Sequence, residues 1–328
     1  MNTMKAQITR TYGPGARFES AEIPVPVPAE GEILIDVRAS SLNPIDNKLL
    51  RQNLGFNPPL PAVLHGDVAG VVSAVGPGVD AFAPGDEVYA CAGGPGGALA
   101  EAMVADARLV ARKPRTLDFA SAAALPLVAI TAWEGLFDRA RIDSSHHVLV
   151  HAGTGGVGHV GVQLAKIKGA TVATTVSTEE KADIAKGLGA DEIIFYRDEP
   201  VDHYVRRLAD GQGFDVVFDT VGGETLDRSF AAARNYGQVV TILARQSHDL
   251  TTAFGRGLTI HFEMMLLPLV TGAGREHHGE ILEEVARYVD EGRLRPLLHE
   301  RQFSFDEANE VHALYESRGH VGKIVLVR

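Results

Sequence analysis

The residues from 148 to 158 read Val-Leu-Val-His-Ala-Gly-Thr-Gly-Gly-Val-Gly. Gly153, Gly155 and Gly158 form a Gly-x-Gly-x-x-Gly pattern directly after an apolar, strand-like run and at the opening of a helical one. In that context the first glycine permits a tight turn and the second lets backbone approach a pyrophosphate. The third allows close packing of helix on strand. The pyrophosphate then meets unpaired amides at a helix N-terminus, where the helix dipole favours negative charge. Gly153, Thr154, Gly155, Gly156, Val157 and Gly158 are thus the expected cofactor turn. No Gly-Lys-Ser/Thr follows, so the turn is not a P-loop. The end of the next strand decides which dinucleotide fits. An NAD site places a carboxylate there for the ribose hydroxyls, whereas this chain has Ser177, whose hydroxyl can donate to a 2′-phosphate. Lys181 adds positive charge one turn into the following helix, and Tyr196, after the third strand, is expected either to reach the same phosphate or to pack at the rim. Glu179 and Glu180 count the other way, but acids in a first helical turn also serve the helix dipole. The expected cofactor is NADPH. Thr220, Val221, Leu243 and Ala244 end later strands, where ligands settle in open α/β sheets.

The elements that must position this turn follow a regular order. Strands at His147–His151, 171–176, 192–195, 214–219 and 238–243 alternate with helices at 156–168, 179–187, 201–208 and 224–232. This is the pattern of a doubly wound parallel sheet. One further strand is expected at 257–263, then helices at 276–290 and 305–315 and a last strand at 323–327. Before residue 118 the pattern is different. Glu32–Ser40 alternates apolar and polar residues, 68–75 is β-branched, and 88–90, 98–104 and 109–111 are short strands between Gly/Pro turns, as in a small barrel or sandwich. Asp118–Arg139 is Ala-rich with helical spacing, and Asp118 is its expected N-cap. The expected organisation is a β-rich domain, 1–122 and 265–328, interrupted by a dinucleotide-binding domain, 123–264.

Composition excludes several functions. With 31 Lys and Arg against 42 Asp and Glu, the formal charge is −11, which disfavours nucleic acid and anionic membranes as partners. No apolar stretch reaches the roughly 20 residues of a membrane span, and Met1–Arg10 has no apolar signal core, so a cytoplasmic protein is expected. A single cysteine, Cys91, excludes an intrachain disulfide and a Cys-rich zinc lobe. It is expected to be half-buried in the small-residue turn 91–97. His151 is expected to pack at a strand end, and His277 and His278 to be solvated.

Further landmarks recur along most of the chain: Asn43-Pro-Ile-Asp46-Asn-Lys48, Gly66-Asp67-Val-Ala-Gly70, Pro84-Gly85-Asp86, Ala124-Leu-Pro126, Thr131-Ala-Trp133, Asp219-Thr-Val-Gly222-Gly223 and Gly322-Lys323. In this order, with the glycine turn, they resemble the medium-chain dehydrogenase/reductase superfamily and, within it, the zinc-independent quinone oxidoreductases. The resemblance implies a discontinuous GroES-like catalytic domain, an inserted Rossmann domain and a homodimer. It also implies that Asn43 meets the nicotinamide ribose and substrate, that Lys48 faces the cleft, and that Thr131 contacts the nicotinamide. Asp46 is expected to orient or cap. The chain departs from zinc-dependent relatives by having Asn43 to Asp46 where they place a cysteine. It also reads His65-Gly66-Asp67 where they read Gly-His-Glu, which puts Gly66 at the ligand position. No three-ligand zinc set can be assembled.

The expected activity is hydride transfer from NADPH to a quinone or another α,β-unsaturated carbonyl. Such acceptors delocalise the charge that a Lewis acid would otherwise stabilise. An enoyl-thioester reductase and a non-catalytic NADPH-binding sensor or scaffold are the alternatives. The segments Leu50–Pro61 and 264–275 are expected to shape the pocket, with Met264 and Met265 as candidate lining residues.

Overall fold

The computed structural model describes residues 2–93 and 96–328. The expected turn at 91–97 includes Gly94 and Pro95, which lie outside the described residues. The chain divides into two units: one of residues 1–127, 266–292 and 296–328, the other of 128–265 with 293–295.

The first unit is β-rich. It contains β1 (Thr3–Thr9), β2 (Phe18–Pro24), β3 (Glu32–Ser41), α1 (Pro44–Arg51), β4 (Ala62–Val63), β5 (Asp67–Val75), β6 (Glu87–Cys91), β7 (Ala102–Asp106) and β8 (Val110–Arg112). The helix α2 (Phe119–Ala123) follows, and the division between units falls early in α3 (Pro126–Trp133). Strands β2, β1 and β4 form one antiparallel sheet. The central strand of the other sheet is β3, whose inward residues Ile33, Ile35 and Val37 are fully buried, as its alternation requires. The expected strand over 98–104 begins only at Ala102, although Ala100 makes an isolated bridge to Ala6. Asp118 caps α2 by accepting from the Ser121 amide. The single helix expected over 118–139 is broken: α2 stops before Pro126, which cannot continue its hydrogen bonding, and Glu134–Arg139 widens into a π-helix.

The second unit is the expected doubly wound sheet. It comprises β9 (His147–Val150), α4 (Gly156–Ile167), β10 (Thr171–Val176), α5 (Glu179–Gly187), β11 (Glu192–Phe195), α6 (Val201–Leu208), β12 (Phe214–Asp219), α7 (Glu224–Ala232), β13 (Ala233–Thr241), α8 (Thr251–Gly255) and β14 (Thr259–Phe262). The sheet order is β11-β10-β9-β12-β13-β14, and all pairings are parallel. Leu149, Val217 and Val239 form its core on one face with Phe214 and Phe230. The order reverses at β9, so the glycine turn lies at the topological switch point.

The chain then returns to the first unit through α9 (Leu267–Thr271), α10 (Arg275–Asp290), β15 (Phe303–Ser304), α11 (Ala308–Ser317) and β16 (Val325–Val327), with β16 pairing antiparallel to β3. His278 is fully buried on the inner face of α10 and is not solvated as expected, because it shares that face with Leu282 and Val285. Cys91 is likewise fully buried, as the last residue of β6.

Candidate functional site

In the second unit, β9 delivers the chain into the glycine turn. Ala152 adopts a left-handed φ of 54°, an unfavourable conformation for a residue with a Cβ. The turn is held on both sides: the Ala152 amide donates to Thr175 Oγ1 at 2.9 Å, and Thr220 Oγ1 donates to the His151 carbonyl at 2.6 Å. Close approach explains the glycines. A Cβ on Gly153 would lie 2.1 Å from Thr174 Oγ1, and one on Gly158 would lie 2.0 Å from the Ala152 carbonyl oxygen. Gly155 is the N-cap of α4 and has no side chain to satisfy the first amides. Those amides, including the ones of Gly156 and Val157, suit a bound anion. Thr154 is buried within the turn.

Around the turn lies a cavity of about 570 Å³ lined by His151, Thr175, Tyr196, Arg197, Val221 and Arg228, among others. Tyr196 and Val221 are both half open to solvent. Ser177 follows β10 and is half-buried. Lys181 stands in the first turn of α5, its amide bonded to the capping Thr178 hydroxyl at 3.3 Å. Neither of these two lines the cavity. Asp219 fixes the loop after β12 by accepting from the amides of Val221 and Gly222 at 3.0 and 2.9 Å. Leu243 and Ala244 follow β13, half-buried and exposed respectively. Thr131 is buried on α3.

Sequence reasoning gave His151 a packing role only. It is buried, its Nδ1 lies 3.3 Å from Thr175 Oγ1, and its Nε2 has no hydrogen-bond partner among the described residues. Burial pushes its pKa down to about 4, so the ring is neutral. A buried orphan nitrogen in the wall of a cavity beside the glycine turn, together with the amides of α4 that no N-cap side chain satisfies, fits a dinucleotide. The signal in the sequence was a polar residue at the last position of an otherwise apolar strand.

In the first unit a cavity of about 300 Å³ is lined mainly by apolar groups, including Ile45, Leu49, Phe56, Leu127, Leu269 and Val270, with Asp46, His65 and Cys91 as its titratable members. The rim comes from the two segments singled out in the sequence. Leu266, Leu269 and Val270 supply the second, whereas Met265 is buried elsewhere and Met264 is 41% exposed; neither methionine lines the cavity.

Beneath this cavity lies a buried polar network. Asn43, the residue before α1, donates from Nδ2 to Asp67 Oδ2 at 2.7 Å and accepts at Oδ1 from Lys323 Nζ at 2.5 Å. Its backbone amide donates to Asp46 Oδ2 at 2.7 Å, so Asp46 reaches back from the first turn as a capping-box acid. Asp67 also accepts from Ser41 Oγ at 2.8 Å and from the Leu127 amide at 2.9 Å. The Lys323 ammonium donates to the Leu42 carbonyl at 2.9 Å and stands 3.5 Å from Asp67 Oδ2. Both hydrogen-bonding ends of the Asn43 side chain are therefore engaged inside the protein. Lys48 is half-buried on α1.

Residues 29–115 match the family described as alcohol dehydrogenase GroES-like domain, and residues 188–326 match the one described as zinc-binding dehydrogenase. Over 98% of its length the chain is 33% identical to a 2-methylene-furan-3-one reductase of Solanum lycopersicum and covers 79% of it. It is 32% identical, over the same shares, to a chloroplastic NADPH-dependent alkenal/one oxidoreductase of Arabidopsis thaliana. Among solved structures, a mycobacterial quinone oxidoreductase superposes with a TM-score of 0.85 at 30% identity, covering 99% of this chain and 100% of that one. The fold and site define an oxidoreductase built from a GroES-like and a Rossmann unit. The chain belongs to the medium-chain dehydrogenase/reductase superfamily, in the company of its quinone and alkenal/one oxidoreductases.

The zinc in the second family description does not fit this chain. Among the described residues no three His, Cys, Asp or Glu side chains are grouped to hold a metal ion. At the place of interest Gly66 offers no donor, and a lysine ammonium already neutralises Asp67. No helix among the described residues is long and apolar enough to cross a membrane.

Proposed function

We propose that this protein is a zinc-independent reductase that transfers hydride from NADPH to a quinone or another α,β-unsaturated carbonyl. The observation that carries the reading is the glycine turn at the switch point of the second unit, strained at Ala152 and intolerant of a Cβ at Gly153 and Gly158. NADPH supplies the hydride. The α4 amides hold its pyrophosphate. Ser177, Lys181 and Tyr196 take the 2′-phosphate, and the residue that follows β10 is Ser177 rather than a carboxylate. Thr220, Val221, Leu243 and Ala244 flank the cofactor, and Thr131 contacts its nicotinamide. In the first unit the apolar cavity accepts a flat conjugated ring and excludes water. Lys48, half-buried on α1 but outside the lining of that cavity, is assigned the charge that builds on the acceptor oxygen. Asn43 orients this wall of the cavity through the bonds it makes inside the protein.

The NADPH-dependent relative and the quinone oxidoreductase neighbour support this choice of cofactor and acceptor. β14, at the edge of the six-stranded sheet, offers its unpaired side to a second copy, so the protein is read as a homodimer. A cytoplasmic location matches its composition.

The test is NADPH consumption with 1,4-benzoquinone, 9,10-phenanthrenequinone, a 2-alkenal, a cyclic enone and crotonyl-CoA, each repeated with NADH and with a chelator. Chelator-insensitive turnover of quinone or enone with NADPH is expected. Tight NADPH binding without oxidation by any acceptor would instead favour a sensor or scaffold.

A further inference from the structure

In the wall of the first unit's cavity and beneath it, two carboxylates lie close to a single cation. Asp67 and Asp46 are both buried, and Lys323 is the ammonium buried with them. One of the two acids is therefore most cheaply neutral, since an unpaired buried carboxylate is far costlier than a protonated one. The hydrogen bonds decide which. Asp67 accepts from Ser41, Asn43 and the Leu127 amide and has the ammonium 3.5 Å away, so its charge is satisfied. Asp46 has two backbone amides, those of Asn43 and Gly66, and no cation of its own. It is also the one of the two that lines the cavity.

The other titratable groups in that wall are poor proton donors. The Cys91 thiol is buried, and burial beside Asp67 pushes its pKa well up. His65 is held neutral by burial, with its Nε2 3.0 Å from Nε2 of His312. Burial, helped by the charge of Asp67, raises Asp46 to about 7, a value matched to proton transfer near neutral pH. The charged and titratable groups facing Asp46 are Asp67 on β5, Lys323 before β16, Cys91 on β6 and Tyr315 on α11.

We infer that Asp46 is the general acid that protonates the reduced acceptor in this cavity. The inference rests on the hydride-transfer reading given above. NADPH gives up a hydride and becomes NADP⁺, and the quinone that gains it becomes a hydroquinone monoanion. The Asp46 O–H bond then breaks as an O–H bond forms on the phenolate oxygen. The electron pair stays on the carboxylate, which water reprotonates. With an enone, hydride adds to the β-carbon and the same proton goes to the enolate oxygen, giving an enol that tautomerises in solution.

The experiment compares the wild type with Asp46→Asn, whose amide oxygen can still cap the Asn43 amide. It uses benzoquinones whose hydroquinones span weak to strong acidity. For the least acidic hydroquinones kcat is expected to fall about 100-fold or more. The loss should shrink steadily toward halogenated quinones, whose hydroquinones leave as anions, and the Kd for NADPH should not change. Wild-type kcat should decline above about pH 7, and that limb should vanish in the variant. A loss equal across the quinone series, or an alkaline limb that survives in Asp46→Asn, overturns the proposal. If the variant does not fold, the wild type decides alone: a kcat independent of pH from 6 to 9 with weakly acidic hydroquinones overturns the proposal, and the limb with a solvent isotope effect supports it. A wild type that reduces no acceptor overturns the hydride-transfer reading and this proposal together. An active wild type with an unaffected variant overturns the proposal alone.

Discussion

Lys323→Met tests the buried network directly. The ammonium is nearly inaccessible to solvent and is shared between the Leu42 carbonyl, Asn43 Oδ1 and Asp67 Oδ2. Methionine fills a similar volume but leaves Asp67 with neutral donors only and frees two acceptors. Removing one partner of a buried ion pair costs about 3–5 kcal/mol. For a unit of this size each kcal/mol lowers the melting temperature by about 2–4 °C, so a drop of about 6–20 °C is expected by scanning calorimetry. Asp67→Asn alone should also destabilise, since it strands the ammonium. The double variant removes both charges and should be at least about 2 kcal/mol more stable than the sum of the single losses predicts. Additive losses, or a single-variant loss below about 1 kcal/mol, would refute the claim that Lys323 and Asp67 act as a pair.

Other outcomes follow from the second unit. Gly158→Ala places a Cβ against the Ala152 carbonyl; it should cost about 1–3 kcal/mol of stability and weaken NADPH binding at least tenfold by fluorescence titration. Ser177→Asp should raise the NADPH KM about tenfold or more, with little change for NADH, because a carboxylate opposes the 2′-phosphate. Glu263 is buried against Glu134, and burial first, then that neighbour, raises its pKa to about 8 although Arg139 is paired with it. A carboxyl raised by folding contributes stability that is complete below the ordinary carboxylate range and is lost as pH rises through about 8. The melting temperature should therefore fall between about pH 4.5 and 8 and level off above, and Glu263→Gln should flatten that slope.

The alternating half of the chain was legible because each strand and helix there is bounded by glycine or polar turns and the apolar periods are strong. β1 and β2 escaped notice: Thr3–Thr9 mixes polar residues at buried positions such as Gln7 and Thr9, and Phe18–Pro24 turns most of its side chains to solvent. Gln7 is satisfied only by Ser20 and by Asp306, 299 residues away, so nothing local marks it as inward. The glycine turn was readable as a local motif. The partners of Asp67 were not, because Ser41, Leu127 and Lys323 lie far apart in sequence, and Lys323 stood out only through its Gly-Lys context. His278 was misjudged because a His pair in a polar stretch looks solvated, while the helical period turns one of the two inward.

The division of the first unit around the second has a consequence for biosynthesis. Asn43 is made 280 residues before the lysine that donates to its side-chain oxygen. At about 5–20 residues per second, that gap is about 15 to 60 s on the ribosome. The α/β unit is contiguous apart from three residues and has all its strands in hand first, whereas the sheet around β3 waits for β16. During that interval the two buried acids have no cation and stay hydrated. The nascent chain therefore carries a finished nucleotide-binding unit beside an open β-rich one, whose unpaired strand edge calls for chaperone cover until the final segment closes it.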